Sequence, residues 1–359
     1  MQINNIYNVG AGGYNAYVVK GGKCALIDGV GKDYSDELIK NIEKVSDKID
    51  YIIFNHASPF QAGILERLIE INPDVIVIGT IAAIKNIKEF VFEKFNEQIA
   101  KDGETLDLGG ITLEFRISPN VPWPDTMLTY AKESKALFSG EMFSSSNASV
   151  EEFYDSELRQ FGGFVEKSIK IIKSLDVKTI YPAQGNKSDN AVLSLYEHQI
   201  EKNQRNEYIV LCYMSRYGYT YEMAQIIAET IEKSGMPVKM FDAENGSMEM
   251  QSALNRARAV IFGSPTINRN APPQIWEAVC GLDAVSQRGI PCMTFGSYGW
   301  SGDAPVLIHT HLCAMNFRMF EKPFTSVFRM NSEEKLKLAA YSERFAEFVK
   351  NTENNTQNG

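Results

Sequence analysis

A loop rich in hydroxyl groups stands between a strand-like and a helix-like run in the second half of the chain. It consists of Ser215, Arg216, Tyr217, Gly218, Tyr219 and Thr220. Backbone N–H groups and hydroxyl oxygens at such a turn can surround a phosphate, and the positive end of the helix dipole favours an anion there. An ordinary strand-to-helix turn, with Thr220 as the helix N-cap, explains these residues equally well.

Two further loops follow predicted strands and favour the phosphate interpretation. They hold Ser264, Pro265, Thr266, Ile267 and Asn268 in one case, and Ser297, Tyr298, Gly299, Trp300 and Gly302 in the other. Glycines let the backbone approach a planar ring closely, and the Tyr and Trp rings could stack on it. Since ligands bind at the carboxyl ends of strands in doubly wound sheets, the three loops predict one site for a phosphate and a ring.

A regular alternation of strands and helices must position these loops. Residues 201–207 are polar and without apolar signal, so we place a domain boundary near residue 205, which gives domains 1–205 and 206–359. Five strand–helix units after it predict a doubly wound parallel sheet. The strands are expected at 208–214, 238–241, 259–263, 291–296 and 325–328, and the helices at 221–233, 248–258, 273–282, 304–315 and 332–349. The polar tail, residues 351–359, is expected to fray.

The first half combines hairpins with strand–helix units and is predicted to form a layered α/β sandwich. Strands at 14–19 and 24–27 flank Gly21-Gly22 as a tight hairpin. The remaining strands are expected at 50–55, 75–79, 112–117, 127–130, 136–139 and 179–181. The helices are expected at 64–71, 84–95, 161–175 and 191–203.

Charge and cysteine content exclude several classes of function. There are 36 Lys and Arg residues against 45 Asp and Glu residues, a net charge of −9, which disfavours non-specific binding to nucleic acid or to an anionic membrane. Five scattered cysteines without a C-x-x-C pair disfavour a disulfide framework, a zinc knuckle and a rubredoxin-type centre. Neither a signal peptide nor a membrane-spanning run is visible, and we expect a cytoplasmic protein.

The motifs of both halves resemble one family. The loops at 215–220 and 264–268 and the Gly-Ser-Tyr-Gly-Trp-Ser-Gly run at 296–302 are similar to the FMN domain of flavodiiron proteins, or A-type flavoproteins. The runs at 14–17, 25–28, 123–127 and 137–139 resemble that family's metallo-β-lactamase-type domain. The resemblance implies a metallo-β-lactamase-like αββα sandwich followed by a flavodoxin-like doubly wound sheet, one FMN and a head-to-tail dimer. Tyr219 replaces a small hydroxyl residue of the family's phosphate loop, so backbone contacts are expected there.

The same resemblance locates the family's two-iron centre and indicates that most of its ligands are missing. The H-x-E-x-D-H motif aligns with residues 56–61, where His56 alone keeps its type, and Glu141 stands in place of an aspartate. The other ligand positions hold Ser58, Phe60, Gln61, Pro122 and Gln184. Too few imidazole and carboxylate groups remain for two iron ions, so we predict no metal. A single metal on His56, Glu141 and Asp125 is the alternative.

The sequence therefore predicts an FMN-binding, flavodiiron-like electron-transfer oxidoreductase that lacks a functional diiron centre. It would form a head-to-tail homodimer and take electrons from a redox donor protein or reductase that the sequence does not identify. One alternative is a regulatory or electron-donating subunit paired with an intact flavodiiron relative. The others are a pocket remade for another small ligand and an oxygen or nitric oxide reductase with an atypical metal site. No catalytic residue is assigned.

Overall fold

The computed structural model describes residues 5–145, 149–202 and 207–357. The chain divides into two compact units, residues 1–202 and 203–359. The boundary predicted near residue 205 lies outside the described residues.

The first unit contains two sheets. The first has the order β1-β2-β3-β4-β5-β6, with antiparallel pairing up to β3 and parallel pairing after it. Its strands are β1 (Ile6–Asn8), β2 (Tyr17–Lys20), β3 (Cys24–Ile27), β4 (Tyr51–Ile53), β5 (Ile76–Gly79) and β6 (Asn96–Ile99). The second has the order β11-β10-β9-β8-β7 and is antiparallel except for β10–β11. Its strands are β7 (Thr105–Asp107), β8 (Thr112–Ile117), β9 (Met127–Ala131), β10 (Ala136–Gly140) and β11 (Thr179–Pro182).

Three apolar layers hold this unit together and make it an αββα sandwich. Side chains of both sheets, such as Ile27 and Phe138, share the central layer. Helices α1 (Ser35–Glu43), α2 (Leu65–Ile71) and α3 (Ile81–Ile87) cover the outer face of the first sheet. Helices α5 (Gly162–Ser174) and α6 (Ala191–Lys202), with the short α4 (Val150–Phe153) beside them, lie on the side of the second sheet. Strands that are buried on both faces consist of continuous runs of apolar residues, so such strands can be predicted from the sequence.

The second unit is a parallel sheet with helices on both faces. The strand order is β13-β12-β14-β15-β16, and β17 also pairs with β15. The strands are β12 (Ile209–Tyr213), β13 (Val238–Asp242), β14 (Ala259–Gly263), β15 (Pro291–Tyr298), β16 (Arg318–Met319) and β17 (Phe324–Val327). Helices α8 (Met248–Arg256), α9 (Pro273–Cys280) and α10 (Asp303–Ala314) pack on one face, and α7 (Tyr219–Lys233) and α11 (Ser332–Gln357) on the other.

The predicted fold class is confirmed, and three predicted elements differ. The strand expected at 14–19 begins only at Tyr17 and ends at Lys20. The helix expected at 84–95 begins earlier, because Thr80 caps α3 by accepting the N–H of Ala83, and it ends at Ile87. The regular spacing of buried apolar side chains does not continue after α3, since Phe92 is 84% exposed. The tail expected to fray is helical to Gln357, supported by a hydrogen bond from the Thr352 hydroxyl to the carbonyl of Phe348. Residues 358 and 359 lie outside the described residues. The strands β1, β6, β7 and β16 and the helix α1 were not predicted, since most of these segments are short or half exposed.

Candidate functional sites

A cavity of about 580 Å³ opens in the second unit, beside the carboxyl ends of β12, β14 and β15. Eleven of the sixteen site residues predicted from the sequence line it: Arg216, Tyr217, Tyr219, Pro265, Thr266, Ile267, Asn268, Ser297, Tyr298, Gly299 and Trp300. Phe328, which follows β17, also lines it and was missed, because its loop carries no glycine or hydroxyl signal. Ser215, Gly218, Thr220, Ser264 and Gly302 lie beside the lining in the same loops. The three loops thus meet at one edge of the sheet.

The 215–220 loop leads directly into α7. Gly218 has a φ of +83° and stands at the N-cap position, and the N–H of Tyr221 donates to Ser215 Oγ at 3.1 Å. Thr220 is therefore not the N-cap. Its buried hydroxyl is paired with Ser297 Oγ at 2.9 Å, which ties α7 to the end of β15. In the first turn of α7, the N–H groups and the positive end of the helix dipole point toward this end of the sheet.

Two glycines let the other loops approach each other. A Cβ on Gly263 would lie 2.3 Å from the ring of Phe295, and one on Gly296 would lie 1.9 Å from the carbonyl oxygen of Ser264. The backbone N–H of Thr266 donates to the carbonyl of Ser297 at 3.3 Å. Only residues without a Cβ fit at such separations. These contacts fix the two loops side by side along the cavity.

The charge and exposure of the lining suit an aromatic anion. Arg216 is the one formally charged side chain among the lining residues, and none of them is acidic. Trp300 is fully exposed, and the rings of Tyr217 and Phe328 are also largely exposed. A single cation beside a helix N-terminus attracts a phosphate, while exposed rings at a cavity rim offer a stacking surface for a planar ring.

In the first unit, a polar cluster occupies the edge of the sandwich where the diiron ligands would be expected. His56 follows β4, Asp125 precedes β9 and Glu141 follows β10. Parallel pairing of β3, β4 and β5, and the antiparallel entry into β9, bring these positions to one edge. We define the polar cluster as His56, Ser58, Gln61, Trp123, Asp125 and Glu141.

His56 and Asp125 form a buried pair. The imidazole Nδ1 lies 2.7 Å from Asp125 Oδ1, and the N–H of Ala57 donates to Asp125 Oδ2 at 2.9 Å. The indole of Trp123 stacks on the imidazole, with ring centroids 4.8 Å apart and planes 3° from parallel. His56 Nε2 is buried and has no hydrogen-bond partner in the structure. His56 is thus a histidine that follows a strand and is held by a hydrogen bond.

Glu141 is held by two neutral donors. Gln61 Nε2 donates to Glu141 Oε1, and Trp123 Nε1 donates to Oε2, each at 2.7 Å. The Ser58 hydroxyl donates to Gln61 Oε1 and so fixes the orientation of the amide. Gln184 was expected at this pocket, and its described contacts are made by its backbone, which bridges to Tyr14 and accepts the N–H of Ser145.

Asp28, which follows β3, is a buried carboxylate behind this cluster. The backbone N–H and the Nδ2 of Asn55 donate to its two oxygens at 2.8 and 3.0 Å. Burial raises the pKa of Asp28 to about 6, and the bonds from Asn55 and the nearby His56 offset part of that rise. Asp28 has a φ of +57°, a conformation that Asn and Asp tolerate better than most residues. Sequence reasoning gave it no role.

Comparison with known proteins assigns both units. Residues 14–185 match the model described as ODP family beta lactamase, and residues 211–344 match the flavodoxin model. The flavo-diiron protein FprA2 of Clostridium acetobutylicum is 32% identical, over 94% of this chain and 92% of that protein. The chain belongs to the flavo-diiron protein family. The type A flavoprotein fprA of Rhodobacter capsulatus is a further flavo-diiron relative, 28% identical over 94% of this chain and 84% of its own length.

Solved structures of flavo-diiron proteins share the fold. The rubredoxin oxygen:oxidoreductase of Desulfovibrio gigas superimposes with a TM-score of 0.69 over 98% of each chain, at 24% identity. The flavodiiron protein of Giardia intestinalis gives a TM-score of 0.66 over 98% of this chain and 96% of its own, at 21% identity. The flavodoxin match and the flavo-diiron relatives support FMN as the cofactor and electron transfer as the activity of this oxidoreductase. The cavity of the second unit fits FMN in charge and in lining.

The polar cluster does not fit the family's diiron centre. Among residues 5–145, 149–202 and 207–357, no group of three or more His, Cys, Asp and Glu side chains is placed to hold a metal ion. Among the three residues of the single-metal alternative, Asp125 pairs with His56, while Glu141 accepts hydrogen bonds from Gln61 and Trp123.

The other histidines and two of the cysteines lie on regular helices and strands outside the polar cluster. His198 lies on α6, and His309 and His311 lie on α10. Cys212 and Cys292 are buried on strands of the second sheet. In the described part of the chain, no helix combines the length and the apolar character needed to cross a membrane.

Proposed function

We propose that this flavo-diiron family member is an FMN-dependent electron-transfer flavoprotein whose first unit holds no diiron centre. The observation that carries the proposal is the contrast between the two sites. Three loops converge on a cavity suited to a flavin phosphate and ring, while Glu141, the carboxylate that stands at a ligand position of the family, is already bound to neutral N–H donors. Domains 1–205 and 206–359 would carry these two roles.

In this proposal the residues of the cavity divide into two groups. The backbone N–H groups of the 215–220 loop, the first turn of α7 and Arg216 would hold the phosphate, with Tyr219 contributing through its backbone. The 264–268 loop and residues 297–300 and 302 would border the ring, and their backbone N–H and C=O groups would set the polarity around it. Bound FMN supplies one- and two-electron redox chemistry, and the protein determines its position and its electrostatic environment.

The deciding experiment measures flavin and metal on one preparation of the purified protein. We expect a flavin absorption spectrum corresponding to about one FMN per chain, as a single cavity allows, and iron well below one equivalent. A colourless protein that takes up no FMN on titration would refute the flavin assignment. Stoichiometric iron would refute the loss of the diiron centre and would favour the oxygen or nitric oxide reductase alternative.

We also propose a head-to-tail homodimer that receives electrons from a separate donor protein. The exposed rings of Tyr217, Trp300 and Phe328 around the cavity support a protein contact at the flavin, because monomers seldom expose several large aromatic side chains together. A heterodimer with an intact flavo-diiron relative would let this chain feed electrons to that relative's irons. Native purification distinguishes the two, since recovery of homodimers alone contradicts the heterodimer.

A further inference from the structure

We propose that Gln61 and Trp123 replace a metal ion as the stabilising partners of Glu141, so that the polar cluster is a hydrogen-bonded plug that makes the first unit stable without metal. This inference rests on the proposed loss of the diiron centre and adds which residues took over its structural role. It also identifies Gln61 as the residue whose neutral charge keeps the plug metal-independent.

The first argument is that both carboxylate oxygens of Glu141 accept a hydrogen bond. Each of its oxygens accepts one N–H at 2.7 Å, from Gln61 on one side and Trp123 on the other. Hydrogen bonds to a charged group are stronger than those between neutral groups, and leaving a buried partner unpaired costs free energy. A metal ion held by both oxygens of this carboxylate would compete with these two hydrogen bonds.

The second argument is the fixed orientation of Gln61. The Ser58 hydroxyl donates to Oε1 of the amide, which turns Nε2 toward Glu141. Ser58 Oγ in turn accepts the backbone N–H groups of Phe60 and Gln61, both at 3.3 Å. The Gln61 side chain is buried, so these contacts form a self-consistent loop in which no cation is required.

The third argument is the environment of the two imidazole nitrogens of His56. Its Nδ1 is committed to Asp125, and its Nε2, the nitrogen that a metal would use, is buried, while the indole of Trp123 stacks on the face of the imidazole. The same indole donates to Glu141. Trp123 therefore contacts the histidine and donates to the carboxylate at once, and it links the two without a cation.

Charge explains why an amide stands at position 61. Asp28, Asp125 and Glu141 already place three carboxylates near His56, and Glu141 is among the groups that raise the pKa of Asp28. A further carboxylate in direct contact with Glu141 would add like-charge repulsion, which a divalent cation relieves. The substitution Gln61→Glu should therefore convert a metal-independent cluster into a metal-dependent one.

The test compares thermal unfolding of the FMN-loaded full chain in EDTA and in millimolar Mn²⁺. We expect the wild type to melt at the same temperature in both, and Gln61→Glu to melt about 5 °C lower in EDTA and to recover at least half of that loss in Mn²⁺. Gln98→Glu is the matched control, because Gln98 also donates to a carboxylate, that of Glu104 at 3.4 Å, outside the cluster. It should show no recovery in Mn²⁺.

Two results would overturn the inference: a wild type that Mn²⁺ stabilises as much as the variant, or a Gln61→Glu protein as stable as the wild type in EDTA. If Gln61→Glu does not fold, Trp123→Phe carries the test, since it keeps a ring on His56 and removes the donor to Glu141. It should melt lower in EDTA than Trp276→Phe, which loses a bond to the neutral Asn270 amide. Equal melting temperatures of these two variants contradict the plug. Bound FMN absorbance reports the second unit separately, so loss of flavin would count against the proposed function and not against the plug.

Discussion

The buried carboxylate of Asp28 should make the stability of the first unit fall as pH rises. Burial raises its pKa from 3.8 to about 6, so the folded state binds the proton more tightly than the unfolded chain does. The contribution of Asp28 to the free energy of unfolding is therefore full below about pH 4 and is lost as pH rises through about 6. Above that pH the folded protein carries an ionised carboxylate that water would solvate better.

The size of this effect follows from the two pKa values. The interval between 3.8 and about 6 corresponds to about 3 kcal/mol of unfolding free energy. Asp28→Asn removes the titration and suits the left-handed backbone at this position, where φ is +57°. Its amide has one acceptor oxygen for the two donors of Asn55, so the variant also loses a hydrogen bond that the ionised wild-type carboxylate accepts. The pH dependence, and not the absolute stability, is therefore the quantity to compare.

The assay is urea unfolding followed by tryptophan fluorescence in a background carrying Trp276→Phe and Trp300→Phe. Trp123 is then the one remaining tryptophan and reports the first unit. Between about pH 4 and about pH 7.5 the wild type should lose about 3 kcal/mol relative to Asp28→Asn. The exposed Asp33 provides the control substitution Asp33→Asn, which removes the same charge and should leave the wild-type pH dependence in place.

Two outcomes would refute this reasoning. If the difference in unfolding free energy between wild type and Asp28→Asn stays flat with pH, Asp28 keeps an ordinary pKa in the folded state. If the wild type instead gains stability relative to the variant as pH rises, the bonds from Asn55 outweigh the cost of burial. In either case the Asp28 carboxylate would be stabilised as a charge at neutral pH.

Three further predictions concern the second unit. Gly296→Ala should destabilise this unit by about 3 kcal/mol in urea unfolding, because its Cβ would lie 1.9 Å from the carbonyl oxygen of Ser264, and an unchanged midpoint would contradict this packing. Trp300→Ala should weaken FMN binding about tenfold in a fluorescence titration and leave the melting temperature of the flavin-free protein unchanged, because the indole is fully exposed. An unaltered affinity would remove Trp300 from the ring site. Native alkylation followed by mass spectrometry should spare Cys212 and Cys292, since burial raises the pKa of both thiols, that of Cys212 to about 12. Rapid labelling of either would disprove their burial. The exposed thiols that should react are Cys280 and Cys313.

The sequence alone was sufficient for the architecture and for the loops of the second unit. Buried parallel strands leave continuous apolar runs, as in β12 and β14, and glycines at Gly263 and Gly296 mark places where backbones meet. These signals are local, so they survive in the linear pattern. Short or half-exposed strands such as β6 and β16 leave no such pattern, and Phe328 reaches the cavity from a loop without any motif.

Only the tertiary structure decided what became of the first-unit pocket. From the residue types, the sequence predicted that the diiron ligands at positions 58, 60 and 61 are missing, and it left open whether His56, Glu141 and Asp125 hold a single metal. Whether such groups act as ligands depends on where their lone pairs point, and those directions are set by partners far away in the chain. The bonds from Gln61 to Glu141 and from Trp123 to Glu141 span 80 and 18 residues. They exist because the carboxyl ends of strands from both sheets meet at one edge of the sandwich, which is a property of the fold and not of any single segment.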